Sequence, residues 1–460
     1  VVPVMIDPGI GRAQLGQCLA EARPEVFIGV PEAHAARVLL GWGRGTVHTL
    51  VTVGRPWFWG GHTLQDVARA GDASDEVVNP VDGDDTAAIL FTSGSTGVAK
   101  GVVYRHRHFV AQAEMIRDMY GIVPGEVDLP TFPMFALFDP ALGMTTIVPE
   151  MDFTRPARVD PQMLRELIDD WQVTNVFGSP AALATIARHG AANDVRWPTV
   201  RRVLSAGAPC PVATLEGMQR ILNDDAQVFT PYGATENLPV ASIGSREVLG
   251  ETRLRTDRGE GVCVGRVVPP NDVRIIAIDD VAHADWREVR ELPLGEIGEI
   301  TVLGPTTTEA YFRRDEATRS AKIRRDNRLV HRMGDVGYFD AAGRLWFCGR
   351  KGQRVELADR TLFTAPVEEV FNTHPDVFRS ALVGIQRGGE RIPVVCIELE
   401  QGRQVDWARV VGELRELASK YDATRGIDTF IAHPGFPVDI RHNAKIGREQ
   451  LTVWAQRRLG

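Results

Sequence analysis

Over the first two thirds of the chain, short apolar runs rich in β-branched residues alternate with longer stretches of helical character. The runs Thr86–Thr92, Thr174–Phe177, Arg202–Ser205 and Gln227–Thr230 read as strands. Such alternation predicts α/β layers with largely parallel strands, because a helix that returns the chain between strands lays them down in one direction. From Gly261 the pattern changes to strands joined by tight turns, at Asp272–Ile278, Gly298–Leu303, Val336–Phe339 and Leu345–Cys348, the mark of a smaller β-rich, antiparallel subdomain over 261–348. Gly349-Arg350-Lys351-Gly352 then interrupts it. The roughly 110 residues beyond are enough for a compact domain with its own core. The expected fold class is α/β: a large multi-layer N-terminal domain with mixed sheets over 1–348, a hinge at 349–353, and a small mobile α/β C-terminal lid over 354–460. No internal repeat or low-complexity segment is present.

Composition then excludes several classes. A chain of 460 residues with 44% hydrophobic content can bury a large core, and a net charge of −8 offers no general basic field for nucleic acid. Cys18, Cys210, Cys263, Cys348 and Cys396 lie far apart with no C-x-x-C pair, so neither a disulfide framework nor a zinc site is expected and a reducing cytoplasm fits. No apolar run approaches the roughly 20 residues that span a bilayer. The chain opens on Val1, directly in the strand-like Val1-Val2-Pro3-Val4-Met5-Ile6, so the N-terminal edge of the first domain is expected to be missing.

The chemistry begins in Ala87–Phe109, where a buried strand runs into Thr92-Ser93-Gly94-Ser95-Thr96-Gly97 and then Lys100-Gly101. Glycines let backbone N–H groups turn toward phosphate oxygens, the hydroxyls of Thr92, Ser93, Ser95 and Thr96 add donors, and Lys100 adds compact positive charge. This reads as an anion cradle. It is not the Walker pattern, which needs Ser or Thr after the lysine, where Gly101 stands here. A plain Ser/Gly surface turn is the alternative, and the flanking strand and lysine argue against it.

With the later elements, this segment resembles the adenylate-forming superfamily of acyl-CoA synthetases, peptide-synthetase adenylation domains and firefly luciferase, along nearly the whole chain. Phe229-Thr230-Pro231-Tyr232-Gly233-Ala234-Thr235-Glu236 resembles the family's Y-G-x-T-E element, and Ser205-Ala206-Gly207-Ala208-Pro209 its adenine-side loop. The resemblance implies ATP as cosubstrate, Tyr232 stacked on adenine, Thr235 on the α-phosphate, and Glu236 holding Mg²⁺. The residue types suit those tasks, a hard carboxylate oxygen for magnesium above all. Taken alone, Glu236 would read as a solvated carboxylate at a helix start. His331-Arg332-Met333-Gly334-Asp335-Val336-Gly337 resembles the T-G-D segment, so Asp335 is expected on the ribose hydroxyls, and Arg350 on ribose or phosphate. Phe436–Arg448 resembles the family tail, with Ala444 replacing its glycine and Lys445 kept as the catalytic lysine, a cation that would act mainly in the transition state.

Three departures point to a branch. Ala136, in Pro133-Met134-Phe135-Ala136-Leu137-Phe138, stands where many acyl-CoA synthetases carry a histidine or bulky aromatic. The segment Lys351–Asp359 lacks the lysine and glycine of the loop that shapes the pantetheine channel, and Tyr104-Arg105-His106-Arg107-His108-Phe109 clusters charge and imidazole beside the phosphate loop. These segments resemble the β-lactone synthetases of bacterial long-chain olefin biosynthesis. That branch implies adenylation of a 2-alkyl-3-hydroxy fatty acid, then attack by the substrate's own hydroxyl at high effective molarity, with no coenzyme A. It also implies a complex with the other olefin-pathway enzymes. Asp139 and His106 are the candidate bases for ring closure. The alternatives are an acyl-CoA or acyl-carrier-protein ligase and, from another class, an adenylate-binding regulatory protein.

Overall fold

The computed structural model describes residues 1–72, 80–92, 99–132, 135–400, 402, 405–438 and 446–460. They fall into two compact units, Val1–Val110 with Thr308–Ser320, and Ala111–Thr307 with Ala321–Gly460. Among the described residues no helix is long and apolar enough to cross a membrane.

In the first unit, Thr86–Phe91 pairs in parallel with Val4–Met5 and antiparallel with Gly101–Arg105. Its apolar side chains Ile89 and Phe91 are buried with Cys18 and Ala99, and Phe312 packs against them. A second, wholly parallel sheet joins Val26–Gly29, Thr49–Thr52 and His62–Thr63.

The second unit is organised by one twelve-stranded sheet. Thr145–Thr146, Val127–Pro130, Asn175–Phe177, Arg202–Leu204 and Gln227–Ala234 run parallel in that order, as the alternating pattern predicted. Helices Pro161–Trp171, Pro180–Asn193 and Val212–Ile221 contribute Leu164, Ile168, Leu183, Ile186, Leu215 and Met218 to its main core. Each such fully buried side chain contributes about 1.5–3 kcal/mol. Two of these helices have clear start signals: Asp160 accepts from Gln162 N at 3.0 Å ahead of Pro161, and Ser179 accepts from Ala182 N at 3.3 Å ahead of Pro180.

Within this sheet, as in the first unit's pairing of Thr86–Phe91 with Gly101–Arg105, antiparallel pairing begins earlier than the sequence pattern placed it. After Ala234 the chain reverses at Thr235-Glu236 into Asn237–Gly244, so the change of direction falls at this turn rather than at Gly261. The sheet continues through Val262–Val267, Leu345–Arg350, Arg328–Phe339, Gly298–Leu303 and Asp272–Ile276, which makes the β-rich region an extension of the same sheet.

Beyond Arg350, a further sheet joins the hairpin Val377–Arg387 and Glu390–Leu399 to the parallel strand Phe430–Ala432. Side chains alternate between its faces. Leu382, Val395 and Ile397 enter one apolar cluster, whereas Val383, Ile385, Val394 and Cys396 enter another with Leu451 and Ala455 of the last helix.

Candidate functional site

The first unit ties together Thr92 and Lys100, which flank the segment expected to cradle phosphate. Thr92 N donates to Lys100 O at 3.0 Å, Lys100 N donates to Thr92 Oγ1 at 3.2 Å, and Lys100 Nζ lies 4.9 Å from the Tyr311 ring centroid. Ser93, Gly94, Ser95, Thr96 and Gly97 lie outside the described residues, as does Lys445.

The basic run that follows has a more local employment than its sequence suggested. Arg105 Nε donates to Glu309 Oε2 at 3.3 Å, and Arg107 pairs with both Glu309 and Asp84. His108, 1% exposed, accepts from Arg105 N through Nδ1 at 3.0 Å and turns Nε2 toward Glu309 Oε1 at 3.5 Å. Burial works to raise the Glu309 carboxyl, but His108, Arg107 and Arg105 bring it down to about 2. His106 is half-buried at the start of helix His106–Tyr120, its N–H bonded to Asp85 O at 3.2 Å.

In the second unit, Tyr232, Gly233, Thr235 and Glu236 stand on and around the turn where the sheet changes direction. Tyr232 Oη donates to Asp335 Oδ2 at 2.7 Å, and its ring packs 6.1 Å from that of Phe347. Arg350 Nη1 approaches Asp335 Oδ1 to 2.8 Å, an ion-pair contact without hydrogen-bond alignment. The strand pairing explains this meeting, since Asp335 and Arg350 are register partners. Asp335 is 3% exposed. Burial pushes its carboxyl up, and Arg350 followed by the Tyr232 hydroxyl oppose that push. Burial likewise raises the Tyr232 hydroxyl well above its ordinary range, and the Asp335 charge adds to it. Both oxygens expected on a ribose thus already have protein partners. Glu236, half-buried, adds negative charge that acts on Asp335 and Arg350.

The other residues expected on the nucleotide side lie on or just beyond neighbouring strands. Ser205-Ala206-Gly207-Ala208-Pro209 follows the strand Arg202–Leu204, with Gly207 at φ 95°, a left-handed conformation that favours glycine. Thr230 lies on the neighbouring strand, its Oγ1 3.5 Å from Ile243 O. Sequence reading missed Asn237, wholly buried just after Glu236, which donates to Thr307 Oγ1 at 2.7 Å and accepts from Thr306 Oγ1 at 3.2 Å. Its partners lie 70 and 69 positions away, and no local spacing marks them.

At the expected hinge, Gly349 has φ 128° and no room for a Cβ against Thr364 Oγ1. The residues standing in for the pantetheine-channel loop are tied down: Lys351 Nζ donates to Asp279 O at 2.8 Å and Glu299 Oε2 at 3.2 Å, and Arg354 Nη2 reaches Asp280 Oδ2 at 3.4 Å.

The segment expected on the acyl side joins an aromatic cluster in which Phe132, Phe135, Phe138 and Phe229 pack on Phe177, Leu142, Met144 and Tyr120. Ala136 lies within this stretch, half-buried, while Pro133 and Met134 lie outside the described residues. Asp139 opens the short helix Asp139–Leu142, but Phe138 occupies the N-cap position, and the Asp139 carboxylate accepts from Thr146 Oγ1 at 2.5 Å instead of from a helix N–H. A side-chain hydrogen bond joins it to Asp128, whose carboxyl burial and the Asp139 charge push well above the usual range. Asp128 carried no signal in the sequence.

Comparison with known proteins adds to this geometry. The family described as AMP-binding enzyme matches residues 1–312. The olefin beta-lactone synthetase of Stenotrophomonas maltophilia (strain K279a) is 56% identical over 463 residues, 100% of this chain and 83% of that protein. A protein of the same name from Xanthomonas campestris pv. campestris is 55% identical over 460 residues, 99% of this chain and 82% of its own. The solved structure of O-succinylbenzoate coenzyme A synthetase from Bacillus subtilis, in complex with ATP and magnesium ion, matches 98% of this chain and 84% of its own with a TM-score of 0.75 at 20% identity, a likeness of fold.

Proposed function

The chain belongs to the AMP-binding enzyme family, and from that membership we propose that it activates a 2-alkyl-3-hydroxy fatty acid with ATP and closes it to a β-lactone. The carrying observation is 56% identity across the whole chain to a relative whose name states that product.

In the first step a carboxylate oxygen attacks the α-phosphorus and pyrophosphate leaves. We assign Lys445 to the charge that develops there, Thr235 and the cradle residues Thr92–Gly97 and Lys100 to the phosphates, and Tyr232, Gly207–Pro209, Asp335 and Arg350 to the nucleoside. Glu236 would hold Mg²⁺, whose charge screens the phosphates when it is bound. A carboxylate at a half-buried turn, with Asp335 as an acidic neighbour, suits a hard cation of the kind that binds oxygen ligands.

In the second step the 3-hydroxyl oxygen attacks the acyl carbon, the ring C–O bond forms, and AMP departs with the electrons of the broken bond. The hydroxyl proton passes to an acceptor, for which His106 and Asp139 are the candidates. Ion-paired Lys351 and Arg354, in place of a thiol-channel loop, favour this tethered nucleophile over coenzyme A. Residues 354–460 would move as a lid about 349–353. We place the enzyme in the cytoplasm, in a complex that hands its reactive product to the next olefin-pathway enzyme.

The test is mass analysis of products from ATP, Mg²⁺ and a synthetic 2-alkyl-3-hydroxy acid, with and without coenzyme A. The expected result is AMP, pyrophosphate and β-lactone in both arms. A thioester that forms only with coenzyme A, and no lactone, overturns the reading.

A further inference from the structure

Asp128 and Asp139 are 2% and 3% exposed, and among the described residues neither is ion-paired with a cation. The groups acting on the pair are Asn175, Thr146, the Leu129 N–H and the two carboxyls themselves. Asn175 commits its Nδ2 to Asp128 Oδ1 and leaves its own Oδ1, buried, without a hydrogen-bond partner among the described residues. Glu126, two residues before Asp128, and Arg202, the register partner of Asn175, are paired with each other, and Glu114, Arg117 and Asp118 of helix His106–Tyr120 are exposed. Two carboxylates in hydrogen-bond contact, whose other hydrogen-bond partners are neutral, cannot both be ionised in a buried site.

The register sets where this pair stands. Asp128 is the partner of Thr146 on one side and Asn175 on the other, near the amino ends of parallel strands. The motif loops follow the carboxyl ends of that sheet, roughly 10 Å farther along at about 3.3 Å per residue. Between Asp128 and Thr146 the chain leaves the sheet, builds Phe132, Phe135 and Phe138 into the aromatic cluster, and returns through Asp139. Asp139 is thus the fastening of the whole excursion, held by Asp128 on one flanking strand and Thr146 on the other.

We propose that Asp128 and Asp139 share a single proton, carried by Asp128, and act as a positioning pair that holds the aromatic wall of Phe132, Phe135 and Phe138 in the shape the acyl substrate needs. This rests on the reading that the wall lines the acyl site. It also removes Asp139 from ring closure, since its carboxylate is sealed at the wrong end of the strands.

The experiment uses the full chain and three variants, Asp128→Asn, Asp139→Ala and Thr146→Val. Infrared difference spectra should show a protonated carboxylic acid near neutral pH that disappears in Asp128→Asn. The KM for the hydroxy acid should rise with pH in the native protein while the KM for ATP stays level, and Asp128→Asn, which cannot titrate, should flatten that rise. Asp139→Ala should raise the KM for the acid about tenfold, the equivalent of one buried hydrogen bond, with Thr146→Val moving the same way by less. Identical pH profiles in native protein and Asp128→Asn, or an unchanged infrared band, overturn the shared proton. An unchanged KM in Asp139→Ala with acyl-adenylate accumulating and lactone lost makes Asp139 the proton acceptor and overturns the positioning role. If the native protein adenylates no hydroxy acid, the proposed function fails, and the infrared band still decides whether the pair shares a proton.

Discussion

Asp335 and Asp128 are both sealed in the twelve-stranded sheet, one in its antiparallel half and one in its parallel half, and they lose their charge cost by different means. Asp335 faces Arg350 across a hairpin register and accepts a hydroxyl from Tyr232. Asp128 faces only Asn175 and Thr146 across its strands, and meets a second carboxyl from the returning loop. An arginine keeps its charge at every working pH, whereas a shared proton is held only below the raised value of the acid that carries it. The antiparallel half is therefore built to be indifferent to pH, and the parallel half to depend on it.

The largest effect should come from removing the cation. Arg350→Met strands Asp335 in the sheet, and unfolding by denaturant should show a loss of about 2–3 kcal/mol. That is less than for a fully sealed pair, because the Arg350 side chain is 39% exposed. Adding Asp335→Asn should restore much of it; equal losses in the single and double variants would mean that Arg350 acts by packing alone. Next in size is Tyr232→Phe, which deletes one donor to a buried carboxylate and should cost about 1–1.5 kcal/mol with little change across pH 6–9. A strongly pH-dependent loss would erase the contrast between the halves.

The smallest effect at neutral pH should be that of Asp128→Asn, within about 0.5 kcal/mol, since an amide replaces a protonated carboxyl of the same shape. Its sign then changes with pH. The folded-state value of Asp128 is raised, so its contribution is complete below the ordinary carboxylate range and is lost as pH climbs through the folded value. The asparagine does not titrate, and its Tm should overtake that of the native protein on the alkaline side. Parallel Tm curves would place the proton elsewhere.

The antiparallel half was readable because its polar residues stand inside motifs. Gly298–Leu303 runs between the residues the pattern gave, Tyr232 and Glu236 share one recognisable segment, and Asp335 and Arg350 bracket another, although Tyr232 meets Asp335 across 103 positions. The parallel half hides its chemistry, because its buried polar residues stand outside any motif. Asp128 meets Asn175 across 47 positions and Glu126 meets Arg202 across 76, and Val127-Asp128-Leu129-Pro130 holds nothing to announce either. The start of antiparallel pairing was misplaced for a related reason. Asn237–Gly244 follows Glu236 without a glycine or proline at the turn, so the reversal left no punctuation. The charge run Arg105–His108 was visible, but its partner Glu309 lies some 200 positions on, and charge alone does not say what it meets.

That single carboxylate also carries a consequence for descent. Glu309 answers to Arg105, Arg107 and His108 together, so these positions are expected to change together. A lineage that exchanged Glu309 alone would leave two arginines crowded against a buried imidazole, and the tolerated histories are those in which the acid and its basic partners change in company.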